Sequence, residues 1–583
     1  MLTQLIHNGI IIPEPPPYRG LVIRIRGRDV QLTPQQEEMA WAWAQKQGTE
    51  YVRDPVFVRN FMTDFSAALG IDPPLSVDEV EFGPVIRIVE LERERKAGMS
   101  KEERKAAAAV RKAIREELKE KYGYAIVNGN RVELGSYMAE PSGIFMGRGQ
   151  HPLRGRWKEG AREQDITLNL SPDAPRPAGN WKEIVWQPES LWIARWEDKL
   201  AGKLKYIWLS DTAPLKQRRE AEKFDKIALL HAHLDEIRAR IQQGLQDGDL
   251  RRRRLAMACY LIDTLCMRVG DEKDADEADT VGATTLRPEH VTLHPDGRAE
   301  FNFLGKDSVE WHKELLLPPL VYRVLQELIE NARPSASSSE VEWHPTRDLP
   351  QLFPDIGSRA VNDFLSRIQK GLSAKVFRTH HATMAVRESL EASGVIAEDP
   401  EYKKWKAVVD ANLAAAILCN HTKKATGNWE ERQARFQERL EKAQARRDQY
   451  LAQLQEYEAQ LRNLLAEAEE KIAAADEKKR AQVVARYQKR EQTARQRVEG
   501  AQRQVQRAEE EIGKIEAQRD AATGNRTWNL GTSLKSYIDP RVYHEWGQEV
   551  GYDVLGKYYP TNLRRKFAWV REDQEEEEEE EEE

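Results

Sequence analysis

Cysteine is scarce in this chain: Cys259, Cys266 and Cys419 are the only three. The number is odd, no C-x-x-C pair occurs and no histidine cluster lies nearby, which argues against a disulfide framework and against a zinc site. Cys259 and Cys266 stand seven apart in an apolar stretch of helical spacing, as core residues do, and a reducing, intracellular compartment is expected. Long apolar runs are missing too. No stretch approaches the ~20 residues that span a bilayer, and Met1-Leu-Thr-Gln-Leu-Ile-His-Asn lacks the pattern of a secretory leader. No membrane partner is expected. Proline is absent from Trp429 to Asp520, which removes the commonest helix breaker from that stretch. Excess positive charge is lacking as well, because the formal net charge is −7. Nine of the negative charges form the unbroken run Glu575 to Glu583, and without them the remainder stands at +2. Any surface for an anionic polymer must therefore come from local clustering of Lys and Arg.

What is present points to several domains. The 583 residues are 40% hydrophobic and 32% charged, so globular cores alternate with solvated segments. Residues 1–213 mix short strands with helices: Val22-Ile-Arg-Ile-Arg alternates as a half-buried strand does, and Pro13 to Pro17 marks an irregular entry. Ser100 and Glu103 predict a capping box that opens a highly charged helix running to Tyr122. That helix reads most simply as a solvated face. Residues 214–424 are more apolar, with a helix expected through Leu255 to Met267 that stops near Gly270. A hairpin follows, with Phe301, Phe303, Val309 and Trp311 on its buried face and a turn at Gly305-Lys306-Asp307-Ser308.

Within 425–526, Leu454, Tyr457, Leu461 and Leu464 step by threes and fours. So do Val484, Tyr487, Glu491, Ala494, Val498, Ala501, Val505, Ala508, Ile512 and Ile515. With a break near Ala473 to Asp476, the pattern predicts two antiparallel coiled-coil arms. A compact segment, 527–574, comes next, and the glutamate run 575–583 should be disordered.

Five segments carry residues suited to phosphodiester chemistry: Arg268-Val-Gly-Asp-Glu-Lys, Phe303-Leu-Gly-Lys306-Asp-Ser, Lys375-Val-Phe-Arg378-Thr, Ile417-Leu-Cys-Asn-His421 and Ser536-Tyr537-Ile-Asp-Pro-Arg. Singly, each has an ordinary explanation. Arg268 complements a helix dipole, Lys306 is a hairpin-tip lysine, Arg378 a surface ion pair, His421 a core histidine and Tyr537 a half-buried aromatic. Their order and surroundings, however, resemble the eukaryotic-type (type IB) DNA topoisomerase I family. The resemblance extends through Ala278-Asp-Thr-Val-Gly, Thr285-Leu-Arg-Pro-Glu-His, Gly371-Leu-Ser-Ala-Lys-Val-Phe-Arg-Thr, Ala415 to His421, Leu530-Gly-Thr-Ser and Arg565-Lys-Phe-Ala-Trp. Upstream, Phe145-Met-Gly-Arg148-Gly-Gln-His-Pro is similar to the family's DNA-facing segment.

That resemblance implies an α+β, multidomain, two-lobed DNA clamp. It implies a mixed α/β cap lobe at 1–213, a mainly helical catalytic lobe at 214–424, a coiled-coil linker at 425–526 and a C-terminal domain at 527–574. Tyr537 is the implied nucleophile, and cations beside a phenol favour its ionised form. Arg268, Arg378 and His421 would stabilise the charge that builds on the phosphate oxygens. The end of the helix through Ala414 to Asn420 would favour a protonated His421. Lys306 would protonate the leaving 5′ oxygen. Arg148, Asp307, Thr532 and Ser536 are implied DNA contacts. The implied partner is duplex DNA, bound by a monomer that needs no metal and no nucleotide cofactor. The long basic N-terminal extension of nuclear members is not seen, which favours an archaeal or other compact homologue, intracellular and DNA-associated: in nucleoid or cytoplasm if archaeal, in the nucleus if eukaryotic.

Three other readings fit less well. Tyrosine recombinases also use Arg, Lys, Arg and Tyr, but their second arginine sits in His-x-x-Arg, where this chain has Lys375-Val-Phe-Arg378. A DNA-binding scaffold without activity would lack at least one of the five residues. A metal-dependent nuclease needs ligands, and the acid-rich Asp271 to Asp279 has no loop glycine. Gly305-Lys306 is no P-loop either, because Asp follows the lysine and no glycine stands five before Gly305.

Overall fold

A computed structural model describes residues 2–271, 273, 277–334, 349–425 and 427–571 of the chain; the glutamate run 575–583 lies outside these described residues. The architecture is mixed α+β, with several small sheets and one long helical region. The chain divides into two compact units. One holds the described residues up to Lys375 together with Arg565–Trp569; the other holds Val376–Arg564 and the described residues from Val570.

In the first unit the N-terminal part is built on two apolar clusters. One surrounds Trp43, whose ring stacks on Phe61 at 4.6 Å and meets Phe57 and Phe82. The strand Val22–Ile25 feeds this cluster through Ile23 and Ile25 while Val22 and Arg24 face out, which is the alternation its sequence shows. The other cluster lies under a three-stranded sheet ordered Leu5–His7, Tyr124–Val127, Asn130–Glu133. It also lies under a four-stranded sheet ordered Glu183–Val185, Thr167–Asn169, Trp192–Glu197, Leu204–Trp208. The helix Lys101–Tyr122 starts at the Ser100–Glu103 capping box and buries none of its residues.

Further along, the helix Leu250–Leu265 is capped by Asp249 and ends sooner than its apolar period suggests, because Cys266 turns left-handed with φ 53°. That conformation is disfavoured for a residue with a Cβ, so the chain must leave the helix there. Both Cys259 and Cys266 are buried, and neither is in a disulfide. The predicted hairpin pairs Arg298–Gly305 with Val309–Leu316, and Phe303 stacks on Trp311 across it at 4.8 Å. Arg565–Trp569 belongs to this unit by packing: Phe567 and Trp569 lie against Phe224, and Lys566 meets Glu220 at 3.0 Å.

The second unit is helical. Trp429–Ala473 and Glu477–Gly524 run antiparallel, as Arg439 to Gln518 (3.1 Å) and Tyr487 to Glu467 (2.7 Å) demonstrate. Phe436, Leu440, Ala443 and Ile515 make a small apolar cluster between them. Gly513 occupies an unusual place in the second helix. A Cβ there would lie 2.5 Å from the hydroxyl oxygen of Tyr402, so the phenol on the helix Glu401–Leu418 sits where any side chain at 513 would go.

Candidate active site

Tyr537 follows the short helix Leu530–Ser536, which Asn529 caps by accepting from the Thr532 amide. The tyrosine is not helical, and its amide and that of Ile538 both donate to the Ser533 carbonyl, at 2.9 and 3.1 Å. A new helix, Pro540–Glu549, begins three residues on, with Asp539 as N-cap accepting from the Arg541 amide at 3.0 Å and Pro540 in its first turn. Between the two helices the chain is pinned from the side. The Thr383 hydroxyl donates to the Tyr537 carbonyl (3.4 Å) and accepts from the Asp539 amide (3.0 Å). Thr383 is on the helix Ala374–Ala392, which also carries Arg378. The nucleophile candidate is thus held by its backbone on both sides.

Arg378 and His421 surround its ring. The Arg378 guanidinium carbon stands 5.0 Å from the Tyr537 ring centroid, and the His421 ring stands 4.7 Å from it. All three side chains are nearly closed to solvent, with Arg378 4%, His421 5% and Tyr537 7% exposed. A guanidinium at that depth needs partners, and Arg378 Nη2 donates to the Cys419 carbonyl at 2.8 Å. The same nitrogen lies 3.4 Å from His421 Nε2. His421 Nδ1 lies 2.8 Å from the Ser533 hydroxyl.

The helix before His421 ends at Leu418, with Asn420 left-handed at φ 54° and the His421 amide donating back to the Ala416 carbonyl at 2.8 Å. The ring is therefore reversed off the helix end rather than continuing it. Guanidinium can only donate, so a hydrogen bond at Nε2 requires a lone pair there and the proton on Nδ1.

Tyr537 is not the only tyrosine in its segment. Burial pushes the hydroxyls of Tyr552 and Tyr558 up to about 12 and those of Tyr543 and Tyr559 well above their usual value. Those four serve as packing, and Tyr537 is the one whose ring meets both Arg378 and His421.

Of the remaining candidates, Arg268, Lys306, Asp307 and Arg148 lie in the first unit. Arg268 is half-buried on the extended segment after Cys266, where its carbonyl accepts from the Ala283 amide at 2.8 Å. Gly270, at φ +82°, packs backbone to backbone against Gly282: a Cβ on Gly270 would come within 2.8 Å of the Gly282 Cα. Only glycines allow this crossing. The same strip continues to the hairpin, since the Val281 amide donates to the Leu304 carbonyl at 2.8 Å. Arg268 and the hairpin that presents Lys306 therefore share one hydrogen-bonded frame. Lys306 itself is exposed, in the tight turn Lys306–Ser308, where Asp307 (φ 65°) and Ser308 (φ 57°) are both left-handed.

Arg148 comes to this turn. Its Nη1 pairs with Asp307 at 2.7 Å, and its carbonyl accepts from the Ser308 hydroxyl at 3.3 Å. Lys306, Arg148 and Asp307 line one cavity of about 490 Å³. Thr532 and Ser536 are half-buried on the helix before Tyr537. Sequence reasoning did not single out Ser533 or Thr383. Ser533 lay in the quoted Leu530-Gly-Thr-Ser motif, one helical turn before Tyr537, and that spacing was the available signal. Among the described residues no group of three or more His, Cys, Asp or Glu is arranged to hold a metal ion, and no described helix is long and apolar enough to cross a membrane.

Comparison with known proteins covers almost the whole chain. Residues 2–209 match the model of the eukaryotic DNA topoisomerase I DNA-binding fragment, residues 212–455 its catalytic core, and residues 509–578 the C-terminal topoisomerase domain. DNA topoisomerase 1 beta of Arabidopsis thaliana is 32% identical over 97% of this chain and 58% of its own length. Human DNA topoisomerase 1 is 30% identical over 97% of this chain and 70% of its own length. The human mitochondrial DNA topoisomerase I is 33% identical over 73% of this chain and 70% of its own length. Against the plant and yeast relatives, the matched part spans 44% to 58% of their length.

Proposed function

The chain belongs to the eukaryotic DNA topoisomerase I family, and on that premise we propose that it is a type IB enzyme relaxing positive and negative supercoils without ATP or metal. The observation that carries this reading is the Arg378 guanidinium and the His421 ring both set against Tyr537. In the proposed reaction the Tyr537 oxygen attacks phosphorus, its proton passes to water, and the P–O5′ bond breaks. Lys306 supplies the proton that the departing O5′ needs. Arg268, Arg378 and His421 offer hydrogen bonds to the non-bridging oxygens as charge builds there. The 3′-phosphotyrosine conserves the energy of the broken bond, so the free 5′ hydroxyl reseals the strand after the duplex has swivelled.

The domain roles proposed are a cap lobe at 1–213, a catalytic lobe at 214–424, a coiled-coil linker at 425–526 and a C-terminal domain at 527–574. Two lobes would clamp duplex DNA, opening at a hinge near Asp211 to Pro214, in a monomeric and DNA-associated protein. Arg148, Asp307, Thr532 and Ser536 would touch the DNA. Binding that rests on phosphate contacts should weaken steeply with salt.

Plasmid relaxation in EDTA without ATP tests the reading directly. Activity is expected together with a denaturant-trapped adduct on the 3′ side of the nick. A 5′-linked adduct, or a strict need for Mg²⁺, would overturn it.

A further inference from the structure

One buried contact has no part in the reaction just proposed. The Ser533 hydroxyl lies 2.8 Å from His421 Nδ1, with Ser533 0% and His421 5% exposed. The two residues stand 112 positions apart in the chain. A hydroxyl both donates and accepts, and imidazole changes which it needs as it changes protonation. Ser533 is also tied to the nucleophile, because its carbonyl receives the amides of Tyr537 and Ile538. The return connection runs through Asn529, whose amide donates to the His421 carbonyl at 2.6 Å.

We propose that Ser533 is a positioning residue: its hydroxyl holds the His421 ring through Nδ1 and lets it switch from accepting to donating at Nε2 without moving. The assignment rests on the phosphotyrosine chemistry proposed above and adds a part to it. Where Arg378 Nη2, 3.4 Å away, donates to Nε2, the proton sits on Nδ1 and the Ser533 hydroxyl, 2.8 Å away, accepts it. A phosphate oxygen entering the site needs the opposite at Nε2, a donor. The ring meets that need by gaining a proton, in which case Ser533 still accepts from Nδ1. It also meets it by shifting its proton to Nε2, in which case the Ser533 O–H turns to donate to Nδ1. In either case the ring stays in its plane beside Tyr537. The Arg378 guanidinium, from the helix Ala374–Ala392, and the titratable phenol of Tyr537 face it.

Losing the hydroxyl removes the partner that stabilises the doubly protonated ring. Its titration should move to lower pH, and cleavage that uses the Nε2 proton should be lost earlier as pH rises. The experiment is single-turnover cleavage of a nicked suicide duplex by the full chain from pH 5 to 9. Wild type, Ser533→Ala and Ser533→Thr are compared, with duplex affinity and thermal melting measured alongside. Ser533→Ala is expected to cleave about tenfold or more slowly, with its high-pH limb shifted down and DNA affinity unchanged. Ser533→Thr keeps the hydroxyl and should recover both rate and limb. A Ser533→Ala profile that superimposes on wild type overturns the role. So does a loss equal in both variants at unchanged limb position, which would mark packing alone. Absence of any adduct in the wild-type chain overturns the underlying chemistry instead, a result distinct from these two.

Discussion

The turn around Tyr537 and the turn around Lys306 both present a reactive side chain, and they are built in opposite ways. At Tyr537 the backbone is bonded on each side to Ser533 and Thr383, and the flanking cation and imidazole are buried. At Lys306 the side chain is exposed, the backbone passes through two left-handed residues, and the nearest ion pair is open to solvent, with Arg148 73% and Asp307 47% exposed. An exposed pair of that kind contributes roughly 0–1 kcal/mol and fades with salt. The contrast teaches that the proposed nucleophile is preorganised in the free protein, whereas the proposed acid stands on an exposed tip with little lateral support. A group that attacks needs fixed geometry, while one that delivers a proton must reach into a groove.

The sharpest way to break this comparison is Tyr537→Phe. Relaxation and adduct formation should vanish while duplex binding stays within about twofold of wild type, as the proposed binding through phosphate contacts requires. An adduct in that variant, trapped by denaturant, would move the nucleophile elsewhere. Lys306→Ala comes next, with cleavage slowed by roughly 10²–10⁴-fold if the lysine is the acid. A substrate carrying sulfur at the bridging 5′ position leaves without protonation, so on it Lys306→Ala should cleave almost as fast as wild type. Arg378→Ala should remain slow on both substrates. Equal impairment of Lys306→Ala on the two would give the lysine an electrostatic role only.

Smaller effects probe the rigidity itself. Thr383→Ala strands the buried Asp539 amide, which costs about 1–3 kcal/mol. Cleavage should fall roughly tenfold, with Thr383→Ser close to wild type. A Thr383→Ala enzyme cleaving at the wild-type rate would show that the turn holds without its lateral pin. Arg148→Ala should do least, weakening DNA binding by no more than about fivefold at low salt and lowering the slope of log affinity against log salt by about one. An unchanged slope would remove Arg148 from the phosphate contacts.

How much of this was legible beforehand follows from the range of each interaction. The start of the two long helices and their parting could be read to within a residue or two because Val484 to Ile515 repeat without a proline, and Ala473 to Asp476 break the pattern where the helices in fact part. The hairpin was readable from Phe301, Phe303 and Trp311 for the same reason: the period is local. The Asp539–Pro540 start is likewise a short-range signal. The left-handed Cys266 gave none, since nothing but the surrounding packing forces a cysteine there, and the helix expected through Met267 to a stop near Gly270 ends at Leu265 instead. The contacts of Ser533 with His421 and of Thr383 with Tyr537 join residues more than a hundred positions apart. No periodicity carries that information. Only the resemblance put His421 and Tyr537 in one site, and the residues that brace them are visible only in the fold.

The notch at Gly513 has a mechanical meaning. The helix Glu477–Gly524 is a long rod, and were it to swing, the Tyr402 phenol seated at Gly513 would be its fulcrum. About 54 Å of rod lies between Glu477 and that point and about 16 Å beyond it. A sideways push at the far end would then be multiplied roughly threefold at the near end, with the travel reduced in the same ratio. From the near end the chain runs through Asn525 to Asn529, where the amide that grips the His421 carbonyl is found, and on to Ser533 and Tyr537. A rod pivoted in this way turns a large, soft swing of its tip into a small, forceful strain on the turn that carries the nucleophile.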